Sequence, residues 1–460
     1  MDSQRKTDLK NSIYDGIFAH MFATLTGGVF LTGFAIHLGM NEFLIGILGS
    51  IPFFVTIFQL PTSYFILKNF ARKKIAYRAA SFARLLWLPI VLLAFLPVSH
   101  KSTQLLLIIS LIFLSHAFIS ISYISWLSWI SDLVPDEIRG RFFGTRNMIC
   151  GIAGMIVMVV FGILLDRLKI HSPTGVSLGF FIIFIAAVSF GILSLRFLKH
   201  ITEPSVHKSF THISFQRLTL LPFEDSNFKR FLFFSLFWNF SVYFASPFFT
   251  LYFLRDLNFS YGFVATLGMI SAFADLLGMR VWGRISDRVK NKAVIQFSSW
   301  FAIALPLAWT CVQPDNIFIP ILLHLIGGGF WAGINLCTNN LVLRISPHEN
   351  RAFFFSVYNI MGGLGAAIGP VLAGLLLKSM TPLNLELFSW QILPLQIIFI
   401  ASTLFRFLSF QLFKFVKEPE EFTVGEMVRV IRGIRGLNTA NGFNHILHPF
   451  IEAPQKHRNH

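Results

Sequence analysis

Charged residues are scarce in this sequence. Only 13% of its 460 residues are Asp, Glu, Lys or Arg, whereas 54% are hydrophobic. A soluble domain of average composition carries nearly twice that charged fraction. Several apolar runs reach 18 residues or more, which is enough to cross a bilayer core of about 30 Å as helix. The composition therefore argues against a soluble enzyme and indicates a membrane protein.

The motifs that most other functions require are also missing. The three cysteines, Cys150, Cys311 and Cys337, have neither metal-binding spacing nor the pattern of a disulfide framework. There is no G-x-x-x-x-G-K-[ST] loop for ATP hydrolysis. A membrane enzyme would need a constellation such as H-E-x-x-H, and this motif does not occur. We therefore expect no catalytic residues, no metal site and no cofactor.

Twelve apolar segments follow one another along the chain. Lipid offers no hydrogen-bond partner to a bare backbone, so each segment is expected to be a helix. The sequence predicts an all-α, polytopic membrane protein with twelve transmembrane helices. The predicted spans are 12–38, 43–66, 75–97, 104–130, 144–165, 177–197, 230–254, 260–283, 293–312, 317–343, 352–377 and 386–413.

The basic residues are distributed unevenly over the loops between these spans. With the amino terminus inside, the inner segments hold 31 Lys and Arg residues and the outer loops hold 5. Such an excess is the signature of cytoplasmic loops. Both termini are thus predicted to be cytoplasmic, which requires an even number of helices. The net charge of +16 is explained by topology, so no nucleic-acid partner is expected.

The chain contains a weak internal repeat. A shift of 219 residues places Leu48-Gly49-Ser50-Ile51 on Leu267-Gly268-Met269-Ile270, and a shift of 212 places Gly162 on Gly374. Two parallel halves of this kind hold a substrate site between them near the membrane midplane. The predicted division is an N-terminal six-helix half, a central cytoplasmic loop, a C-terminal six-helix half and a cytoplasmic tail, at 1–197, 198–229, 230–414 and 415–460.

One loop resembles a motif of a known family. The segment Gly283 to Lys292, G-R-I-S-D-R-V-K-N-K, lies between spans 8 and 9 and is similar to the G-x-x-x-D-R-x-G-R-[RK] loop of the major facilitator superfamily. Lys290 stands where the motif has its second glycine. The segment 132–141 resembles the superfamily's loop between spans 4 and 5, and the opening Asp15-Gly16 resembles a bacterial branch. The resemblance implies the major facilitator fold, alternating access by rocking of the halves, and a bacterial inner membrane.

The loop residues are candidates for gating. An aspartate can cap the positive end of a facing helix, and such contacts must break when the gate opens. The alternative is that the basic residues serve topology alone. Lys68 replaces the acid in the first-half copy of the motif, so the second-half latch is expected to dominate. The predicted gating residues are Gly283, Asp287, Arg288, Lys292, Asp132 and Arg139.

Asp275 is the candidate for proton coupling. It lies twelve residues before Asp287, about 18 Å away at the rise of a helix and thus near mid-bilayer. Carboxylates at that depth are costly and usually face a water-filled path. The alternative is a structural ion pair with Arg280 or Arg84.

Polar and aromatic side chains on spans 1, 4, 7 and 10 are candidates for the substrate cavity. A small-molecule site needs such a lining, with a few polar groups among aromatic faces. Ordinary packing and hydrogen bonding between helices is the alternative. The candidates are His20, Thr24, His116, Tyr123, Trp126, Asn239, Tyr243, Trp331 and Asn335. For Asp15, near the end of span 1, we expect a cap or a gate.

The predicted function is secondary active transport of a small, amphipathic solute by a monomer in the lipid bilayer, coupled to a proton gradient. Two alternatives stay open. The chain could be a transporter-like receptor or scaffold without net flux, or a permease for sugar or nutrient uptake rather than an exporter. The tail around 424–435 is expected to form a short amphipathic helix on the membrane surface or a solvated segment.

Overall fold

The structure is a computed structural model, and it describes residues 3–69, 72–95, 100–171, 174–204, 215–347, 351–380, 385–387, 390–419, 422 and 425–427. The described part of the chain is almost entirely helical. Its helices are α1 Ser3–Leu25, α2 Gly28–His37, α3 Glu42–Phe54, α4 Gln59–Asn69, α5 Arg72–Leu85, α6 Trp87–Phe95, α7 Lys101–Leu133, α8 Asp136–His171, α9 Gly175–His200, α10 Phe215–Glu224, α11 Ser226–Leu251, α12 Tyr261–Trp309, α13 Phe318–Ile345, α14 Arg351–Met380 and α15 Pro394–Phe413.

These helices form the twelve predicted crossings. Three spans are each made of two helices, α1 with α2, α3 with α4 through a 3₁₀ turn at Val55–Phe58, and α5 with α6. Eleven described helical segments are long and apolar enough to cross a membrane, and the longest, Tyr261–Trp309, contains two crossings. It turns back at Lys290, whose backbone has φ 64° and ψ 173°. The prediction of an all-α membrane protein is confirmed.

The last span begins later than its hydropathy predicts. The sequence places residues 386–392 inside the helix, but Leu385–Leu387 (β1) and Trp390–Ile392 (β2) form an antiparallel pair with Leu385 opposite Ile392. The helix starts at Pro394, where a proline is well tolerated because the first helical N–H has no partner within the helix. Hydropathy alone does not separate an apolar hairpin from an apolar helix.

The bundle has two distinguishable ends. We call the end that carries Arg72, Arg139, Lys292 and Arg344 the basic end, and the opposite end, where α3 begins at Glu42, the far end. At the far end the two halves share one apolar core, which runs from Phe22 and Phe34 in the N-terminal half to Phe248 and Phe399 in the C-terminal half. At the basic end each half has an apolar core of its own. The halves are therefore joined at the far end and separated at the basic end.

Small residues bring the halves together at the far end. A side-chain carbon on Gly374 of α14 would lie 2.8 Å from the Glu42 carbonyl oxygen of α3, and one on Gly162 of α8 would lie 3.1 Å from the Tyr261 carbonyl oxygen of α12. These two contacts are related by the same shifts, 212 for the glycines and 219 for their neighbours, that the repeat predicted. On the basic side of α8, Gly151 has only open space around it. The predicted tail helix lies largely outside the described residues.

Candidate substrate cavity and gates

A cavity of about 520 Å³ lies between the two halves. Its N-terminal wall includes Phe53, Gln59 and Tyr123, and its C-terminal wall includes Asn239 and Tyr243. Towards the far end, the rings of Phe53 and Tyr243 meet with centroids 4.3 Å apart. Three of the predicted substrate residues, Tyr123, Asn239 and Tyr243, therefore line one space that both halves build.

A second cavity, of about 430 Å³, extends into the C-terminal half and shares Asn239 and Tyr243 with the first. The predicted residues Trp331 and Asn335 line it, with Asn339 one turn further on the same face of α13. The structure adds Arg406 of α15 to this wall. Arg406 was not among the predicted site residues, although an ionisable residue in a transmembrane helix is itself a signal of function.

A smaller cavity, of about 190 Å³, lies in the N-terminal half and contains Tyr123 and Trp126 together with Asp15, Arg84 and Arg146. Asp15 accepts a hydrogen bond from Ser194 Oγ at 2.6 Å, and Arg84 donates to the same oxygen at 2.9 Å. The Arg146 guanidinium lies 4.3 Å from the centre of the Trp126 ring. Of the two roles expected for Asp15, the cap was wrong, because α1 begins twelve residues earlier, at Ser3, and buries Asp15 in mid-helix, whereas the gate stays a prediction.

The remaining substrate candidates lie in neighbouring spaces. His116 lines a cavity on the far side of Tyr243, together with Phe53 and Tyr243 itself. His20 lines a shallow pocket between α1 and α8, and the Thr24 hydroxyl donates to the His20 carbonyl oxygen at 2.9 Å. Their part in substrate binding stays a prediction.

Asp275 lies in the middle of the first arm of α12, near the seam between the halves. Gly262 and Ala265 of α12 meet Gly162 of α8, and Gly268 meets Met158. Asp275 is two turns beyond Gly268 and so continues the same face. Within the described part of the chain it has no hydrogen bond or ion pair, and Arg84 is engaged by Ser194 instead. A proton-coupling role stays a prediction.

Polar contacts across the halves hold the far end closed. Arg255 of the C-terminal half forms an ion pair with Glu42 of the N-terminal half at 2.6 Å. Asp166 of α8 accepts hydrogen bonds from the backbone N–H groups of Tyr261 and Gly262 at 2.8 and 2.7 Å. A carboxylate is favourable at this position because the first N–H groups of a helix lack partners and carry positive charge. Sequence reasoning missed these residues, since only the fold brings them together.

The predicted latch at the basic end is open in this conformation. Asp287 and Arg288 are exposed, and Asp287 makes no hydrogen bond or ion pair to any described residue. The cap that was expected of Asp287 is supplied by the buried Glu418, which accepts from the backbone N–H groups of Asn291 at 3.3 Å and Lys292 at 2.7 Å. Arg344 pairs with Glu418 at 3.4 Å. Gly283 lies within the first arm of α12.

The N-terminal half has a matching charge cluster. Arg72 pairs with Asp132 and lies 3.4 Å from Glu203, while Arg139 donates to the Ser131 carbonyl oxygen at 3.0 Å. In each half, the acid that follows the sixth span joins the cluster. The signal for it was available in the sequence, because Glu203-Pro204 and Glu418-Pro419 repeat at the ends of the two halves. The side chain of Lys68 lies outside the described residues.

Comparison with known families identifies the fold. The model of the Major Facilitator Superfamily matches residues 16–370 and 231–448. The chain belongs to the major facilitator superfamily. A search of the curated proteins finds no significant match.

Solved structures of major facilitator transporters superimpose on most of the chain. The nucleoside transporter NupG has a TM-score of 0.67 at 14% identity, covering 91% of this chain and 100% of that one. The D-xylose–proton symporter gives 0.67 at 13% identity, covering 92% and 100%. A bacterial homologue of the human lysosomal transporter Spinster, inward-facing and unoccupied, gives 0.65 at 15% identity, covering 90% and 97%.

Membership of the major facilitator superfamily decides the class of function. The chain is a multi-pass membrane protein of the secondary-transporter type, not an enzyme, and its substrate is a small molecule. The low identities show the fold alone and leave the solute open.

Proposed function

We propose that this protein is a proton-coupled secondary transporter that moves a small, partly apolar solute by alternating access. The observation that carries the proposal is the arrangement of its apolar cores. One core joins the halves at the far end and two separate cores lie at the basic end, with the cavities between them. Rocking of the two halves about the cavity would separate them at the far end and join them at the basic end.

The charge distribution orients this cycle. We propose that the basic end faces the cytoplasm of a bacterial cell, with both termini inside, since the predicted topology assigns 31 Lys and Arg residues to that side. The conformation is then inward-facing, and the far-end contacts of Asp166 and Glu42 form the closed outer gate. We further propose that one chain acts alone, because the cavities are formed within a single chain.

The lining favours a solute with a flat or apolar body. Trp238, Trp331 and Tyr243 supply aromatic faces, and Asn239 and Asn335 supply hydrogen-bonding groups. Such a lining stacks equally well on sugars and on nucleobases. The matched structures of a nucleoside transporter and a D-xylose–proton symporter make uptake of a nutrient the second candidate within transport.

Proton coupling is assigned to Asp275 as part of the same proposal. Its carboxylate lies near the seam that must close when the basic end closes, and it has no partner among the described residues. Protonation would remove a charge before that seam closes around it, which lowers the cost of burying the acid.

Reconstitution into liposomes tests the whole proposal. Solutes that raise the melting temperature of the purified protein are selected first, and their flux is then measured with and without an imposed proton gradient. We expect gradient-driven flux for the intact protein and for the Asp315→Asn control, which alters an exposed loop acid. Asp275→Asn should transport without responding to the gradient.

Two results would contradict parts of this proposal. If Asp275→Asn keeps its dependence on the gradient, Asp275 does not couple protons. If solutes bind but are neither accumulated nor released by the intact protein, the chain is a receptor or scaffold. The sign of the flux distinguishes uptake from export.

A further inference from the structure

Each half of the bundle buries one guanidinium among the same three spans. In the N-terminal half, Arg84 on span 3 bonds to Ser194 on span 6 and faces Asp15 on span 1. In the C-terminal half, Arg406 on span 12 donates to the carbonyl oxygens of Ala302 on span 9 and Val242 on span 7. Spans 7, 9 and 12 are the repeats of spans 1, 3 and 6, so the two guanidinia lie within corresponding groups of three spans, one supplied by span 3 and the other by span 12.

An acid lies near the N-terminal guanidinium, and no described acid lies near the C-terminal one. Asp15 provides the negative charge beside Arg84, and both bond to Ser194. The shift of 219 that relates spans 1 and 7 replaces Asp15 by Phe234. Among the described residues Arg406 has no carboxylate partner, and its Nε–H has no acceptor, as is also true of the Arg84 Nε–H. Arg406 is 3% exposed, so most of the side chain is surrounded by protein.

An uncompensated guanidinium inside a membrane protein is costly. Arginine keeps its proton in proteins, and buried charges are normally paired. Two backbone carbonyl oxygens satisfy some of its donors but supply no net negative charge. An anion bound beside Arg406 would supply the missing negative charge and lower the cost of burying the guanidinium.

The cavity in the C-terminal half is arranged to bring such an anion to Arg406. Arg406 lies in its wall, and the guanidinium is 6.0 Å from the centre of the Trp331 ring. Trp238 packs beside Trp331 with centroids 6.2 Å apart, and Asn335 and Asn339 add amide groups. The described lining of this cavity contains no acid. A volume of about 430 Å³ suits a ligand of modest size.

We propose that the cavity in the C-terminal half binds small organic anions, with the carboxylate or phosphate of the solute on Arg406 and its apolar body on Trp331 and Trp238. This rests on the proposed transport function and names the class of its substrate. The planar fork of arginine matches both kinds of oxyanion. Arg84 in the N-terminal half already has the Asp15 carboxylate nearby and does not require an anion from the solute.

Binding to the purified, full-length protein tests the proposal without any need for flux. The probes share one skeleton and differ in charge: 3-phenylpropionate, 3-phenylpropanol and 3-phenylpropylamine, with phenyl phosphate and phenol as a second pair. Affinity is read from tryptophan fluorescence and from thermal stabilisation.

We expect at least one anion to bind about tenfold to hundredfold more tightly than its neutral and cationic analogues. Comparison of 3-phenylpropionate with phenyl phosphate separates the two kinds of oxyanion. Equal binding of anion and neutral analogue, or no preference for either anion, would overturn the proposal.

Substitutions test whether Arg406 is the residue that causes the preference for anions. Arg406→Gln should abolish it, and Arg406→Lys should retain part of it because the charge remains and the fork is lost. Arg196→Gln removes the same charge from an exposed position outside the cavity and should leave the preference unchanged. If Arg406→Gln still selects anions, the site is elsewhere. If that variant does not fold, the series on the intact protein still decides whether anions are preferred.

The two proposals fail in different ways. Anion-selective binding without flux in liposomes would contradict transport and leave this site standing. Flux of neutral or cationic solutes, with no preference for anions in binding, would contradict this site alone.

Discussion

Gly46 on α3 lies directly against Pro370 on α14, and a single side-chain carbon on Gly46 would overlap the Pro370 carbonyl oxygen. The two residues belong to different halves of the bundle. Their contact is part of the far-end seam, where one apolar core joins the halves. Closure of that end thus depends on the absence of a side chain at this position.

Gly46→Ala should open the far-end seam. Overpacking of a tight contact costs about 1–3 kcal/mol, so we expect the closed far end to be about tenfold to hundredfold less favoured. The measurement is labelling of a cysteine introduced as Thr32→Cys, in the cavity beside the seam, with a membrane-impermeant reagent added from the far side, in a Cys311→Ser background because Cys311 is itself exposed. Gly151→Ala is the matched control, because Gly151 faces open space in this conformation. Slow labelling in both variants would show that Gly46 does not limit closure.

Asp166→Ala should weaken the same seam by a different route. The change leaves the Tyr261 and Gly262 N–H groups without their acceptor, at a cost of about 0.5–2 kcal/mol. Because the cap joins the two halves, we expect faster far-side labelling. Asp225→Ala removes a similar cap that accepts from Phe228 within one half. It should lower the melting temperature without changing the labelling rate, and equal labelling of the two variants would argue against a gating role for Asp166.

Lys290→Gly should stabilise the protein relative to Lys290→Ala. Lys290 has φ 64°, a left-handed conformation that costs a residue with a side chain about 1–2 kcal/mol and costs glycine little. Both variants lose the lysine side chain, so their difference isolates the backbone. We expect glycine to be more stable by about 1 kcal/mol in chemical unfolding of the detergent-solubilised protein. Equal stability would mean that the turn is not strained.

Asp287→Asn should lower transport at near-normal abundance. Asp287 is exposed and has no partner among the described residues in this conformation, so its loss should change stability by less than about 0.5 kcal/mol. The substitution would still weaken a latch contact that Asp287 forms only when the basic end closes, and transport would slow for that reason. Flux in liposomes is compared with that of Asp315→Asn, which also removes one exposed acid. Unchanged flux would exclude Asp287 from gating.

The positive φ at Lys290 also explains a sequence feature. The superfamily motif has glycine at this position, where the chain must turn between two antiparallel spans. Glycine adopts this conformation without steric cost, and this chain keeps the conformation despite a lysine. The pattern of the loop thus predicted the turn correctly even where the residue that usually permits it is absent.

The sequence by itself determined the helices, their number and the repeat. These properties depend on local composition, because a backbone in lipid must satisfy its own hydrogen bonds and therefore forms helices wherever an apolar run is long enough. The repeat could also be recognised in the sequence. The shift of 212 that aligns Gly162 with Gly374, and the shift of 219 that aligns their neighbours, relate two far-end contacts of the structure. Helical periodicity alone places Trp331, Asn335 and Asn339 on one face, and all three line one cavity.

Only the tertiary structure decided which end is closed and which charges lack partners. Asp166 lies about a hundred residues from the helix that it caps, and Arg84 meets Ser194 across a similar distance in sequence. Such pairs depend on how the helices are placed around one another, and the apolar pattern of each helix does not specify that placement. For the same reason, the contrast between Arg84, which has Asp15 nearby, and Arg406, which has no acid near it among the described residues, became visible only when the two halves were compared in space.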